Sequence, residues 1–443
     1  MNHHPAHDNH HHHHDSTAVV HVTEIPEGST IVHLNAGETD WEIAPGQSVC
    51  GYGINGQIPG PVIEAKQGIP LAIQLTNHLP EPTVIHWHGL RIPSVMDGTD
   101  DVQRPVEPGE TFTYLFTPPD AGTFWYHSHA NETEQLEKGL YGALIVRGED
   151  EITLDGEQIL VLDDLKLDKA GQFAQFKGIK QRHDGREGDL RLVNGKAQPE
   201  LTMSAGQIER WRIINAASAR YVRLSIGGAA FRIIGTDGGL IEAPVTATDI
   251  LLAPSDRVEL AVGPFAEGEE LAMEALAYYR GTIGRRKTER FATLKVGPAK
   301  PSSAIIPERL RTIEPLLSGP AAPTRTVKMS GRLNLRRGVD FLINDEKHHH
   351  AEPVRVGELQ IWDIVNVSPI DHPFHLHGFF FQVLAVNGET PAWRSWEDVV
   401  NVPARSTVRI AWMPDDRPGR WMYHCHILEH HAQGMMAHFD VVR

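Results

Sequence analysis

Residues 423–426 read Tyr423-His424-Cys425-His426, with His430 five and Met435 ten residues after the cysteine. A thiolate, an imidazole and a thioether at these offsets belong to the ligand set of a blue-copper electron-transfer site, which takes two His, one Cys and a weak axial Met. Neighbouring side chains on a strand point to opposite faces. Cys425 can therefore face one metal while His424 and His426 face others behind it. An electron reaching the sulfur is then a few covalent bonds from a second metal centre.

The second centre is written as His-x-His. The pattern occurs at His86-Trp87-His88, His127-Ser128-His129, His375-Leu376-His377 and His424-Cys425-His426. These pairs give eight imidazoles. His372, three residues before His375, is left over and supplies the missing His of the blue site. Two pairs lie near the start of the chain and two near its end, so the fold must bring the ends together.

An internal repeat says how. Residues 68–77 read GIPLAIQLTN, 206–215 read GQIERWRIIN and 357–366 read GELQIWDIVN. A Gly and an Asn nine apart thus recur three times, each copy preceded by Asn-Gly or Asn-Asp at Asn55, Asn194 and Asn344. The copies are spaced by about the size of one domain. Nine residues past the Asn the first copy has His86, the third has His375, and the middle copy has Leu224 followed by Ile226. Gly122 leads into YHSH as Gly419 leads into YHCH. Three related domains follow, with ligands in the outer two. The first has Thr83 where the third has His372, and Ser128 where the third has Cys425. Neither replacement suits copper, so one blue site is expected, in the third domain, with a His cluster at the seam of first and third.

The motifs HWHGL, WYHSH, HPFHLHG and YHCHILEH, in that order, make the chain resemble the three-domain, laccase-like multicopper oxidases of bacteria over nearly everything from Val19 to Arg443. The resemblance implies four copper ions per chain. His372, Cys425, His430 and Met435 would hold type 1 copper. His86 and His375 would hold type 2. His129, His377 and His424 would hold one type 3 copper, and His88, His127 and His426 the other. It also implies one-electron oxidation of a small aromatic reducing substrate at type 1, coupled to reduction of dioxygen to two waters at the three-copper cluster. Asp97, nine residues after His88, matches a family acid beside the cluster and is read as a proton relay, although Asp97-Gly98 is also a turn signal. Bacterial relatives often carry Glu directly after the second type 1 His; this chain has His431. Glu429 is expected to face away if that segment is extended.

Short alternating runs such as Leu71 to Leu75, Trp211 to Ile214, Phe379 to Val383 and Val408 to Trp412, bounded by Gly, Pro, Asn or Asp, predict an all-β protein. The resemblance makes each domain a cupredoxin-like Greek-key barrel or sandwich. The expected division is a His-rich tail over 1–18, then domains over 19–149, 150–299 and 300–443. Linkers are expected at 147–155 and 297–323. The segments 166–188 and 275–290 are read as polar, charged loops, the first as a solvated insertion rather than a cover of a neighbouring site. The tail is either a tag remnant or a natural copper-collecting arm. His348 to His350 are read as an exposed loop rather than a fifth copper site.

The net charge of −16 argues against nucleic acid, which needs a basic footprint. No apolar run is long enough for a membrane span. Of the two cysteines, copper takes Cys425, so no intrachain disulfide is expected and Cys50 is read as a buried small hydrophobe. A monomer is expected. The resemblance favours a periplasmic or secreted protein, yet the N-terminus lacks an apolar signal region; either a signal has been removed or the protein stays in the cytosol. The substrate stays open between phenols or aromatic amines, a cuprous or ferrous ion, and a non-enzymatic copper-binding role. The nine Met form no cluster beyond Met435-Met436, which argues against the cuprous role. Glu429 or Asp371 are candidates for a ferrous one.

Overall fold

The computed structural model describes residues 22–149, 152–176, 178–282, 286–334 and 338–443. The His-rich tail lies outside the described residues. Each repeated Gly-to-Asn stretch forms a strand: Leu71–Asn77, Glu209–Asn215 and Gln360–Asn366. Each runs parallel to an earlier strand of its own unit, namely Thr30–Ala44, Gly156–Leu165 and Arg325–Asn334.

The repeated asparagines explain themselves. Asn77 donates its side-chain amide to the carbonyls of Glu81 and Val106, Asn215 to those of Arg220 and Leu252, and Asn366 to those of Ile370 and Val402. All three are buried. A buried primary amide is tolerated only when its hydrogen bonds are made, and here each ties a strand end to two loops. Asn55, Asn194 and Asn344 sit at φ of 54°, 49° and 50°, the left-handed region that Asn tolerates in tight turns. Their side-chain oxygens accept the backbone N–H of Asn35, Val161 and Lys328.

The fold is all-β, as expected, and its sheets come in pairs. The first pair has four strands each, one sheet ordered Gln47–Ile54, Thr30–Ala44, Leu71–Asn77, Thr111–Phe116 and the other Gly60–Lys66, Tyr141–Arg147, Gly122–Ser128, Ile85–His88. The second pair has seven and five strands, the third five and six. Three large apolar clusters fill the pairs. Leu224 and Ile226, at the positions where the outer repeats carry histidine, are fully buried in the second cluster's core. We take the three pairs as three cupredoxin-like units. The strand Tyr141–Arg147 closes the first and Gly156–Leu165 opens the second; Glu289–Gly297 closes the second and Arg325–Asn334 opens the third. Among the described residues no helix is long and apolar enough to cross a membrane.

Four local expectations change. Cys50 is exposed rather than buried, because alternation along Gln47–Ile54 turns Val49 inward and Cys50 outward. The strand expected from Phe379 starts at Phe381. Gly378 takes φ of 71° where a Cβ would lie 2.0 Å from Trp421, so the chain is still turning at Phe379 and Phe380. The described part of segment 166–188 is largely exposed up to His183, but its end is not a solvated insertion: Asp184, Gly185, Arg186 and Gly188 are buried. It carries a short helix, Ile179–Asp184, that packs on the strand Gly338–Ile343 and on the helix Leu428–Ala432. His349–His350 form a two-residue strand beside Met436–Val442 rather than a plain loop.

Candidate metal centres

Antiparallel pairing places the Cys425 strand, Gly419–Cys425, next to His372–Leu376, with Phe374 opposite Cys425 and His375 opposite His424. His372 starts the second strand, and His430 returns on the helix Leu428–Ala432. The Cys425 Sγ lies 3.4 Å from His372 Nδ1 and 3.5 Å from His430 Nδ1, and the two nitrogens are 3.1 Å apart. All three residues are fully buried, as is Met435, whose backbone bonds to both Cys425 and His430. The outer ring nitrogens are fixed: His430 Nε2 donates to the His183 carbonyl at 2.9 Å, and His372 Nε2 lies 2.8 Å from the Ser368 hydroxyl. That leaves each Nδ1 lone pair turned toward the sulfur, the second-layer arrangement that orients metal-binding imidazoles. Burial pushes the His372 imidazolium down to about 3 and the Cys425 thiol up to about 12. In the first unit the matching positions hold Thr83 and Ser128, both bonded to Gln135 Oε1 at 2.8 and 2.6 Å. An amide satisfies there what a metal satisfies in a thiolate–imidazole trio.

Behind Cys425 the eight imidazoles gather at the seam. His86 pairs with His127 across Ile85–His88 and Gly122–Ser128, as His375 pairs with His424 in the third unit. The two rungs face each other, with His88 stacked on His375 at 3.9 Å and His86 4.1 Å from His377 between ring centroids; within the third unit His377 Nε2 is 2.9 Å from His424 Nε2. Of the expected groupings, the His86 and His375 rings are 5.9 Å apart. His129 is 5.3 and 5.8 Å from His377 and His424, and His88, His127 and His426 lie within 5.7 Å of one another. All eight are buried.

Two carboxylates hold the rungs in a matched way. His86 Nδ1 donates to the Asp97 carbonyl at 2.7 Å and His375 Nδ1 to the Asp398 carbonyl at 2.9 Å. The side chain of Asp97 accepts from His377 Nδ1 at 2.8 Å, and that of Asp398 from His88 Nε2 at 3.0 Å. Each aspartate thus braces one imidazole of its own unit and one of the other. Their charges differ. Burial pushes the Asp97 carboxyl up to about 8. Burial acts on Asp398 too, but the Arg257 guanidinium holds its carboxyl below the usual range. Asp398 was missed from sequence because it stands 23 residues after His375, whereas Asp97 stands 11 after His86.

A second missed pair closes the other end. His431 stacks on His424 at 4.2 Å, and its Nδ1 lies 2.7 Å from Glu132 Oε2. Glu132 Oε1 is 3.0 Å from His129 Nε2. Glu429 does face away, but on a helix rather than an extended segment; Arg186 binds it through both its backbone N–H and its side chain.

The donor set fits metal ions. His86 Nε2, His88 Nδ1, His127 Nε2, His375 Nε2 and His426 Nε2 are buried without a hydrogen-bond partner. Five such orphans in one seam would be costly in a site meant to stay empty of cations. Burial keeps imidazoles such as His86, His88, His377, His424 and His426 neutral, the form that binds metal.

Known proteins point the same way. Three family models, each described as multicopper oxidase, match residues 35–151, 123–275 and 320–443. The multicopper oxidase mco of Staphylococcus epidermidis is 30% identical, with 88% of this chain and 83% of that protein covered. A laccase of Bacillus subtilis is 27% identical over 88% of this chain and 90% of its own. Among solved structures, a Campylobacter jejuni multicopper oxidase, described as a metallo-oxidase, superposes with a TM-score of 0.84 at 30% identity over 96% of this chain and 94% of that one. McoA multicopper oxidase from Aquifex aeolicus gives 0.84 at 29% identity over 94% and 96%.

Proposed function

This chain belongs to the multicopper oxidase family, and we propose that it is a laccase-like member that takes single electrons from phenols and aromatic amines. Copper is the family's cofactor and dioxygen its oxidant. Bound copper supplies a one-electron acceptor and the four-electron reduction of dioxygen to water. In this reading His372, Cys425, His430 and Met435 hold type 1 copper, and His86 and His375 hold type 2. His129, His377 and His424 hold one type 3 ion, and His88, His127 and His426 the other.

The chain's own part is to orient, insulate and connect. Cys425 shares its backbone with His424 and His426, so the thiolate and the cluster imidazoles are joined by a short covalent path. Burial favours the protonated Asp97 carboxyl, and with Oδ2 accepting from His377 its proton sits on the unpartnered Oδ1, from which it can be passed into the seam. Arg257 and Asp398 fix the opposite rung with their charges paired.

The observation that favours aromatic substrates is the state of the carboxylates around the type 1 trio. A metal-ion substrate needs free hard or soft donors at that place. Asp184 is bound by Lys180 and His183, Glu187 by Arg280 and Arg286, Glu429 by Arg186, and Glu289 by Arg191 and Arg220. Asp371 accepts the Tyr278 hydroxyl and the Ala404 N–H. Every one has a partner, and Met435 is buried. Metal-ion oxidation is the competing reading, carried by the Campylobacter relative's description. Steady-state turnover with a phenol, cuprous ion and ferrous ion, with oxygen uptake followed, decides between them. A specificity constant for either ion above that for every phenol tested would overturn the laccase-like reading.

A further inference from the structure

A cavity of about 440 Å³ opens where the three units meet the segment that joins the second to the third. Arg91 and Asp120 reach it from the first unit, Gly238 from the second and Arg311 from the joining segment. It lies away from the type 1 trio. His372 begins the strand His372–Leu376 and Cys425 ends the antiparallel strand Gly419–Cys425, so the trio sits at one end of both. Phe379 and Phe380, which line the cavity, follow the far end of the first strand, and Met413 and Asp415 precede the start of the second. The strand His372–Leu376 alone spans about 13 Å.

Charge around the cavity is closed except at one residue. Arg91 binds both oxygens of Asp120 through Nε and Nη2 at 2.7 and 2.8 Å, and Arg417 binds Asp415 through the same two nitrogens at 2.7 and 2.8 Å. Arg311 is different. Its Nη1 donates to the carbonyls of Gly238 and Leu240 at 3.1 and 3.3 Å. Its Nε and Nη2 have no partner among the described residues, and both remain open to solvent. These two nitrogens form one edge of the guanidinium, the fork that matches a carboxylate and the one with which Arg91 and Arg417 grip their aspartates. Asp120 attracts Arg311, yet burial outweighs that attraction and lowers its guanidinium from the ordinary value. On its other side Arg311 borders a wider groove past Lys66 and Arg147. Aromatic side chains line the cavity and not the groove. Phe379 is backed by Trp412 and Trp421, with ring centroids 5.1 and 5.0 Å away, and Phe380 by Phe124 at 6.5 Å. Half-buried Trp396 and Leu316 add apolar sides. The volume lies in the range of small-molecule sites and admits one or two fused rings, for which aromatic faces are a platform.

We propose that this cavity binds a small aromatic carboxylic acid, its carboxylate gripped by Nε and Nη2 of Arg311 and its ring laid against Trp396 and the two phenylalanines. The acid is a ligand distinct from the reductant oxidised at type 1, and the site stands whichever reductant type 1 takes. Its walls come from all three units and from the joining segment, which is itself pinned to the third unit by Gln382: the Leu316 N–H donates to Gln382 Oε1 at 3.0 Å, and Gln382 Nε2 donates to the Glu314 carbonyl at 2.7 Å. The fork is thus held in place before the ligand arrives, which lowers the cost of binding.

Calorimetric titration of the copper-loaded protein with 2-naphthoate, with neutral 2-naphthamide and with acetate separates fork from platform. One 2-naphthoate per chain is expected to bind, and the other two about tenfold more weakly or worse, since one lacks the charge and the other the ring. Arg311→Gln, which keeps a donor for the Gly238 carbonyl, is expected to weaken 2-naphthoate about tenfold and leave 2-naphthamide unchanged. Met413 is 43% exposed and lines the cavity but not the groove. Met413→Glu is therefore expected to weaken 2-naphthoate several-fold by repulsion, and it decides the matter if Arg311→Gln does not fold. 2-Naphthamide or acetate binding as tightly as 2-naphthoate would overturn the proposal, as would unchanged 2-naphthoate binding in either folded variant. Competition between 2-naphthoate and the reductant that proves active at type 1, seen as a raised KM with kcat unchanged, would place the acid at the type 1 edge and overturn it too.

Discussion

At the scale of single residues, Cys425 sets the chemistry. With its thiol pushed up to about 12 by burial, the metal-free protein holds it protonated at neutral pH, and metal must displace that proton. Copper uptake by the type 1 trio should therefore release a proton. Its apparent affinity should rise about tenfold per pH unit across the neutral range, read by titrating metal-free protein at several pH values while following the blue band. Affinity flat with pH would mean the thiolate is already present. Met435 and Met436 make a second pair. A thioether weakly tunes type 1 potential, so Met435→Leu should raise it. Met436, which opens the strand Met436–Val442 on the opposite side, should matter little. Equal shifts in the two variants, by redox titration, would put the axial ligand elsewhere. Asp97→Asn removes the acid proton of Asp97 while keeping an oxygen to accept from His377. Bleaching of the blue colour by substrate should stay normal, while its return under oxygen slows about a hundredfold. Unchanged return in stopped flow would leave Asp97 as a brace only.

At the scale of elements, the helix Ile179–Asp184 is too short to be stable alone. It is held in place from outside: Ile179 packs on Gly338, where an added Cβ would meet it at 2.9 Å, and Arg186 binds Glu429. Glu429→Ala should loosen this cover and uncover the His430 edge. Bulky phenols should then reduce type 1 several-fold faster, with faster hydrogen exchange over the same helix. No change in either would show the cover is fixed by other contacts. Sequence could not show that this segment is a cover. Its composition is polar, and its packing partners lie some 240 residues away at Glu429. The strands were more legible. The recurring Gly and Asn mark where each begins and ends, because each Asn answers the same backbone demand. Phe379 and Phe380 misled, since an apolar run reads as strand whether or not the backbone has finished turning at Gly378.

At the scale of the molecule, three units meet at Asp398. It lies in the third, accepts from His88 of the first and binds Arg257 of the second at 2.7 Å through Nη1. Arg257 is fully buried. Asp398→Ala would strand that guanidinium and should cost about 3–5 kcal/mol, measured by urea unfolding of the metal-free protein; a loss under 1 kcal/mol would mean Asp237, 3.3 Å away, suffices. The overall plan was open to reading from sequence because the repeat carries both the fold and the histidines at equal offsets. Asp398, Glu132 and His431 were not, since they reach the cluster from unequal offsets or separate helices. Cys50 was misjudged because a residue type alone does not fix which face of a strand it takes.

The account rests on a thiolate site that can be removed without disturbing the cluster behind it. Copper analysis with visible and electron paramagnetic resonance spectra, on the loaded wild type and on Cys425→Ser, tests this most directly. The wild type should hold one type 1, one type 2 and a coupled type 3 pair, with an intense visible band from the thiolate. Cys425→Ser should lose that band and keep the type 2 signal. A fully loaded wild type without the band, or a variant that retains it, would contradict the account.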